Sequence, residues 1–303
     1  MRRILCMAVF VLAQAGLAPD IFGDTFGGAA VAEETSVTSE ETSLRTRVLF
    51  SAYAITIAGY GYKAWWGART PDFQVVHEGW FGQDTYRGGA DKLGHGYFTY
   101  ASTRLLTRGL EWAGHNRQQS ITLSAMTVVA TTLAIEILDG YTKDIGFSYQ
   151  DLVMDTAGIG LGMLLESNPR LDALFDFRLH YWPSSAARRL GEHDPVEDYS
   201  GQTYLFITKA SAIPVLQENK VLRYLEFAIG YGSRGYKPGD ATQVRSRNVY
   251  YGISLNLAQL LDDTVFHEKN NATYKSAGTQ RVTHNILELI QVPGTVALVA
   301  EKL

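Results

Sequence analysis

Cysteine and net positive charge are the two features that this chain most clearly lacks. Its 303 residues include one cysteine, Cys6, and the formal net charge is −4. A single thiol cannot form an intrachain disulfide, so the fold has to depend on packing and polar contacts. Because there is no excess of basic residues and no long basic stripe, nucleic acid is excluded as the main partner.

The N-terminus has the composition of an export signal. Arg2 and Arg3 precede an apolar stretch over residues 4–13, and Ala13-Gln14-Ala15 offers an A-x-A cleavage site. The pattern predicts a signal peptide over residues 1–15 and an exported chain. An uncleaved anchor is the alternative, although the stretch is short for a membrane span of ~20 residues. Cys6 lies too early for a lipid-attachment cysteine, which would follow the apolar stretch.

Residues 16–44 are predicted to be a disordered tether, because the segment 33–43 is polar and has no apolar periodicity. Apolar periodicity then predicts four helices, at Val48–Tyr62, Asp91–Thr107, Ile121–Leu138 and Gln150–Leu165. A helix that is apolar all round lies either in a soluble core or in a membrane, and both settings stay open. Within the fourth helix, Gly158, Gly160 and Gly162 predict close packing against a neighbour.

The C-terminal third has a period of two. Apolar residues alternate with small or polar ones in Leu225–Tyr231 and Val249–Leu257, and Tyr204–Thr208 and Val296–Ala300 are further candidates. Such alternation is typical of half-buried antiparallel strands. The predicted fold class is therefore α+β: a four-helix unit, soluble or membrane-embedded, over residues 45–180, followed by a small antiparallel β unit over residues 198–303.

Ionisable side chains interrupt the apolar helices in three places. The three groups are Asp91, Lys92 and His95; Glu136 and Asp139; and Asp151 and Asp155. Because burying charges without partners is costly, the sequence predicts that the groups meet in one polar cluster. Glu136 ends a long uncharged run and opposes the helix dipole, so it needs a cation such as Lys92 or protonated His95. Ser148-x-x-Asp151 resembles a capping box.

Two interpretations of this cluster stay open. It is either a structural or ligand-holding network, or a metal-dependent or acid–base site of a hydrolase. Carboxylates combined with histidine suit Zn, Mn or Mg. The metal-ligand candidates are Asp91, His95, Glu136, Asp139, Asp151 and Asp155. In an enzyme, the catalytic candidates would be His95 as base or ligand, Glu136 and Asp151 as acids or ligands, and Lys92 to stabilise an anion. A divalent metal and no cofactor at all are equal expectations.

Several blocks of the sequence resemble a known bacterial family. They are Glu78-Gly79-Trp80-Phe81, Gly88-Gly89-Ala90-Asp91-Lys92-Leu93-Gly94-His95, Glu136-x-x-Asp139-Gly140, Gly146-Phe147-Ser148-x-x-Asp151 and Asp198-Tyr199-x-Gly201-Gln202-Thr203-Tyr204. The family comprises the predicted periplasmic lipoproteins of the YfiM type, domain of unknown function 2279. The resemblance covers roughly residues 73 to 260. A looser pattern, Asp-Lys-x-x-His with a later Glu and Ser-x-x-Asp, is similar to the membrane family named for the teicoplanin-resistance protein VanZ.

The resemblance implies an envelope location and a helical core with these polar residues turned inward, but no reaction. Asp155 stands where the families lead us to expect Asn, and the lipid-attachment cysteine is missing. The predicted protein is an exported, membrane-associated envelope component whose cluster is structural or ligand-holding. The alternative is a hydrolase of an envelope lipid or glycan precursor. A membrane or envelope lipid is the expected partner, and the sequence does not identify a protein partner.

Overall fold

The computed structural model describes residues 38–192, 194–237, 244–266 and 277–303. These divide into two compact units. A helical unit contains residues 38–80 and 92–167, and a sheet unit contains residues 81–91 together with the described residues from 168 to 303. The predicted signal peptide at 1–15 and the predicted tether up to residue 37 lie outside the described residues.

The four predicted helices are present, and each is somewhat longer than its apolar pattern. They are α1 (Ser39–Ala64), α2 (Ala90–Ala113), α3 (Arg117–Gly140) and α4 (Tyr149–Ser167). In α1 and α3 most of the extra length lies in polar first turns, whereas α2 and α4 extend mainly at their C-terminal ends. The side chain of Asn116, for example, caps α3 by accepting a hydrogen bond from the Gln119 N–H at 2.9 Å.

The start of α1 lies within the segment predicted as a tether. Thr38 and Glu41 form a complete capping box, in which each side chain accepts a hydrogen bond from the backbone N–H of the other residue. This box satisfies two N–H groups that would otherwise lack partners at the helix end. Residues 39–44 therefore form the first turns of a helix, although their composition alone is typical of a polar linker.

A six-stranded sheet dominates the second unit. Its strands, in chain order, are β1 (Phe175–Tyr181), β2 (Gln202–Lys209), β3 (Leu225–Arg234), β4 (Ser246–Leu255), β5 (Ile290–Gln291) and β6 (Val296–Lys302). The spatial order is β5-β1-β2-β3-β4-β6, and every neighbouring pair is antiparallel except β1 with β5. The α+β class, a helix bundle followed by a mainly antiparallel sheet, is thus confirmed.

Short helices connect and flank these strands. They are α5 (Pro169–Leu174), α6 (Ser185–Leu190), α7 (Pro214–Gln217), α8 (Leu257–Thr264) and α9 (Ala277–Leu287). Leu257, predicted as the end of a strand, instead begins α8, because the Asn256 side chain caps that helix by accepting from the Gln259 N–H at 2.9 Å.

The two faces of the sheet have an unexpected distribution of polarity. On the buried face, the Arg178 guanidinium binds Asp176 and Glu226, and the Lys209 ammonium binds Asp176 at 2.8 Å. On the opposite face, apolar side chains of β3 and β4 are about half exposed: Phe227 48%, Ile229 49%, Tyr251 47% and Ile253 51%. The alternation predicted two faces correctly, but the buried face combines these mutually compensating ions with the apolar cluster of Leu205, Ile207 and Ala228.

Candidate metal centre

The second helix, α2, is buried along most of its length, yet much of what it buries is polar. Six polar side chains are fully buried, namely Lys92, Thr99, Ser102, Thr103, Arg104 and Thr107. Some are satisfied locally, as when the Thr99 hydroxyl donates to the backbone carbonyl of His95 at 3.0 Å. The charged groups need partners on other helices, because a buried unpaired charge costs several kcal/mol.

Small residues bring α4 close to α2. A Cβ atom added to Gly158 would lie 2.0 Å from the Gly96 carbonyl oxygen, and one added to Gly162 would lie 3.0 Å from the Thr103 Cβ. The predicted packing role of these two glycines is therefore confirmed. At Gly160 an added Cβ would meet nothing within 4 Å, so the same prediction is wrong there. The close approach places Asp151 and Asp155 beside the start of α2.

Lys92 lies between two carboxylates. Its ammonium donates to Asp151 Oδ1 at 2.6 Å and also to Glu78 Oε2, and the side chain is fully buried. Burial alone would raise the pKa of Asp151, but the positive charges of His95 and Lys92 outweigh it and lower that pKa. Lys92 and Asp151 thus form a buried ion pair, which fixes Asp151 in its ionised form.

Glu136 is buried at the end of α3 without a lysine or arginine ion pair among the described residues. Its Oε2 accepts a hydrogen bond from the Ser148 backbone N–H at 2.9 Å. Burial raises its pKa to about 8, because the Ser148 hydrogen bond and the charge of His95 offset only part of the cost of desolvation. At neutral pH this carboxyl therefore carries a proton, unless a bound cation takes the proton's place.

The loop before α4 explains this use of Glu136. The Ser148 hydroxyl accepts a weak hydrogen bond from the Asp151 N–H at 3.4 Å, which is one half of the capping box that the sequence resembles. In a complete box the Asp151 side chain would accept from the Ser148 N–H, but Glu136 occupies that role. The Asp151 carboxylate is free to bind Lys92 instead.

Three ligand-type side chains converge beside this pair. One ligand atom each from His95, Glu136 and Asp155 lie within 4.8 Å of one another. The His95 Nδ1 lies 3.3 Å from Asp155 Oδ1, and the His95 side chain is 26% exposed whereas Asp155 is buried. One imidazole and two carboxylates form a donor set that fits Zn, Mn or Fe. The partial exposure of His95 provides a route from solvent.

Asp139, a predicted member of the cluster, is bound elsewhere. The Asp139 carboxylate accepts a hydrogen bond from the Trp66 indole N–H at 2.8 Å, which ties the end of α3 to the second residue after α1. Asp91 is buried in the first turn of α2 and belongs to the sheet unit. The pKa of Tyr199 is raised first by burial and then by the negative charge of Asp91. Asp139 does not belong to the group formed by His95, Glu136 and Asp155.

The sequence did not predict a role for Glu78. It lies between α1 and α2 in a loop with no periodicity, and its only signal was its place in the block Glu78-Gly79-Trp80-Phe81. A second buried network was also missed: the Arg104 guanidinium donates to Glu166 Oε1 at 2.8 Å and to the Tyr100 hydroxyl at 2.8 Å. The loop that contains Glu78 packs on the start of α4, since the rings of Trp80 and Tyr149 are 6.5 Å apart in an edge-to-face arrangement.

Among the described residues, α3 is the one helix long and apolar enough to cross a membrane, with a mean hydropathy of 1.9 over its best 18-residue window. Core helices of soluble proteins can have the same length and apolar composition, and 39% of this 18-residue stretch of α3 is buried.

Comparison with known proteins gives one match. No curated protein and no solved structure matches the chain. A family model matches residues 77–167, from the loop before α2 to the end of α4, and therefore covers Lys92, His95, Glu136, Asp151 and Asp155. The similarity to the VanZ family and that of the C-terminal third remain predictions. The matched family is described as periplasmic, which agrees with the expected envelope location. Residues 77–167 thus match the model of the family described as predicted periplasmic lipoprotein (DUF2279), which confirms the resemblance that the sequence blocks indicated.

Proposed function

We propose that this envelope protein binds a divalent metal ion between His95, Glu136 and Asp155, and that it acts by holding this ion. The observation that carries the proposal is the convergence of three ligand atoms within 4.8 Å on side chains from three helices. The pair formed by Lys92 and Asp151 supports the site from one side by neutralising the neighbouring charge.

The protonation of Glu136 also favours a cation. Burial raises its pKa to about 8, so the metal-free site holds a proton at neutral pH. A divalent ion would displace this proton and compensate both carboxylates, as metal ligands must be deprotonated. Asp155, in place of the expected Asn, adds the negative charge that such an ion needs.

Metal content tests this proposal. The full-length protein, purified without chelator and measured by mass spectrometry of the elements, is expected to hold about one divalent ion per chain. His95→Ala and Asp155→Asn should each lower affinity by ~10-fold or more, because each removes a ligand. The matched control is His284→Ala, which removes a histidine paired with Asp262 at 2.9 Å in the sheet unit. A metal-free protein that fails to reload, or equal metal content in all variants, would rule the site out.

A second candidate function is acid–base hydrolysis of an envelope lipid or glycan precursor. The observation in its favour is that neighbouring carboxyls have opposite pKa shifts. Burial raises the pKa of Glu136 to about 8, whereas Asp151, despite its burial, has a lowered pKa beside His95 and Lys92. Pairs separated in this way are typical of an acid and a base in one site.

This candidate predicts a specific dependence on pH. If Glu136 is the proton donor, hydrolysis should fall as pH rises through about 8, since the donor is lost above its pKa. Glu136→Gln should lower the rate by ~100-fold or more. The assay measures turnover of undecaprenyl-type or phospholipid substrates from pH 6 to 9. Absence of turnover, or a Glu136→Gln variant as fast as the parent, would contradict it.

We also propose that the helical unit contacts membrane lipid. The outward faces of three helices are apolar, and four of their exposed residues are Ile55 71%, Met126 63%, Ile137 50% and Val153 51%. No charged residue occurs in α1 between residues 48 and 62 or in α3 between 118 and 135. An uncharged surface around a polar interior is the reverse of a water-soluble bundle and supports contact with acyl chains.

Charge placed on these faces should weaken membrane association. Ile55→Glu and Met126→Glu are expected to shift the protein from the membrane pellet to the supernatant of a carbonate wash. The reason is that a carboxylate placed among acyl chains is costly. Val215→Glu, at a position 81% exposed in the sheet unit, is the matched control and should leave the distribution unchanged. If the first two variants stay in the pellet like the control, these faces do not contact lipid.

A further inference from the structure

The sheet unit contains a pocket that the proposed metal centre does not involve. It has a volume of about 430 Å³ and lies beside β1, β2, β3 and β4. Its lining includes His180, Trp182, Arg188, Thr203, Arg234 and Tyr250. Among the residues that the structure describes, no carboxylate belongs to the lining, and the volume is within the range of sites for small molecules.

Arg234 is held rigidly in this pocket by neutral partners. Its Nη1 donates to the backbone carbonyls of Gln202 and Ser233, both at 2.8 Å, and its Nη2 donates to the Thr203 hydroxyl at 2.7 Å. The guanidinium also lies 5.5 Å from the centre of the Tyr250 ring. A guanidinium has five N–H donors, so the Nε–H and one Nη2 hydrogen donate to no residue that the structure describes.

The charge of Arg234 has no ion-pair partner among the described residues. Burial lowers its pKa, although the nearby Tyr250 and Asp198 act in the opposite direction. The Asp198 carboxylate forms no ion pair with Arg234, and its Oδ2 accepts from the Ser184 N–H at 2.8 Å and from the Tyr181 hydroxyl at 3.2 Å. Arg234 is therefore a fixed, partly desolvated cation whose remaining donors are available to a ligand.

Two further groups make the pocket electropositive. Arg188 is exposed, and its Nη1 donates to the Pro183 carbonyl at 2.5 Å, which leaves most of its donors in solvent. The His180 imidazole is half-buried, and burial followed by the charge of Arg234 lowers its pKa. Neutral His180 can donate or accept a hydrogen bond, and it gains affinity for a proton when an anion enters.

We propose that this pocket binds the phosphate group of a phosphorylated ligand. Arg234 would hold two phosphate oxygens through its unused donors, since a rigid guanidinium matches phosphate geometry and binds it through two parallel hydrogen bonds. Arg188 would bind a third oxygen at the mouth. The exposed indole of Trp182 would cover the apolar part of the ligand. This proposal does not depend on the metal centre, because it involves neither that site nor its unit.

Two experiments with the full-length protein test the site. Calorimetry measures the binding of inorganic phosphate, and flotation measures binding to vesicles of phosphatidic acid in phosphatidylcholine. Saturable binding of either probe is expected. Binding of phosphate alone identifies a soluble phosphorylated compound as the ligand. Vesicle binding that exceeds binding to pure phosphatidylcholine vesicles, and whose excess is lost in Arg234→Met, identifies a lipid headgroup. Vesicles of pure phosphatidylcholine should not bind through this pocket.

Variants make the test specific. Arg188→Met is expected to weaken binding by ~10-fold, since it removes one charge-assisted contact with the phosphate. Within the protein it removes only the hydrogen bond to the Pro183 carbonyl. The control is Arg189→Met, the neighbouring exposed arginine outside the lining. Arg234→Met should abolish binding, and Arg234→Lys should not restore it. A His180 pKa that rises on addition of phosphate, followed by NMR, supports the site independently of any variant. Equal affinity in the parent, Arg188→Met and Arg189→Met, or no binding of either probe, overturns the proposal.

Discussion

Gly158→Ala is expected to destabilise the protein by about 3 kcal/mol, because the new methyl group has no space. Its Cβ would lie 2.0 Å from the Gly96 carbonyl oxygen and 2.2 Å from the Thr99 hydroxyl oxygen. The first of these is backbone in the facing helix, which cannot move aside as a flexible side chain could. The whole of α2 would have to shift away from α4. Chemical unfolding of the purified protein measures the loss of free energy.

Gly160→Ala is the matched control, two residues along the same helix. An added Cβ there meets nothing within 4 Å, and alanine is favoured over glycine in a helix by up to ~1 kcal/mol. The same substitution should therefore stabilise at position 160 and destabilise at position 158. Two changes of equal sign would show that α2 and α4 do not pack as described. Gly158→Ala should also weaken metal binding, since His95 and Asp155 lie on the separated helices.

Periodicity was enough to predict the helices, because packing of apolar faces is expressed in local spacing. The four helical patterns, the glycines of α4 and most strands all follow from such spacing. Alternation in β3 and β4 predicted two faces but could not identify the buried one. That depends on a charge network joining Asp176, Arg178, Lys209 and Glu226 across three strands. The strand Phe175–Tyr181 was missed, although its own residues also alternate.

At the polar site, too, local spacing predicts which charges are buried but not which residues they bind. Burial of Lys92, Glu136, Asp151 and Asp155 could be expected from charges within apolar helices, and the structure brings these residues near His95. The pairings themselves were not encoded locally. Asp139 contacts Trp66, a residue 73 positions earlier, and Lys92 binds Glu78 in a loop without a pattern. Which partner each charge obtains depends on the packing of helices, and hence on the whole fold.

Lys92→Met is expected to destabilise the protein by ~3–5 kcal/mol at neutral pH. The substitution keeps the volume of the side chain but leaves Asp151 as a buried carboxylate without its ammonium partner at 2.6 Å. The control is Lys237→Met. Lys237 is also buried, but its Glu192 partner is 54% exposed and can be solvated after the change. Its loss should be about 1 kcal/mol or less.

The dependence on pH identifies the cause of this loss. In the parent protein the pKa of Asp151 is lowered, because His95 and Lys92 outweigh the effect of burial. Its ionised form therefore contributes stability above the unfolded pKa, and this contribution is lost as pH falls through the folded pKa. In Lys92→Met the burial of Asp151 is less compensated, so the deficit relative to the parent should shrink as pH falls and Asp151 becomes protonated. Lys92→Met combined with Asp151→Asn and Glu78→Gln should recover stability at neutral pH, because neither carboxylate that Lys92 binds then remains charged. A deficit that is independent of pH and persists in the triple variant would mean that Lys92 acts through its packing rather than its charge.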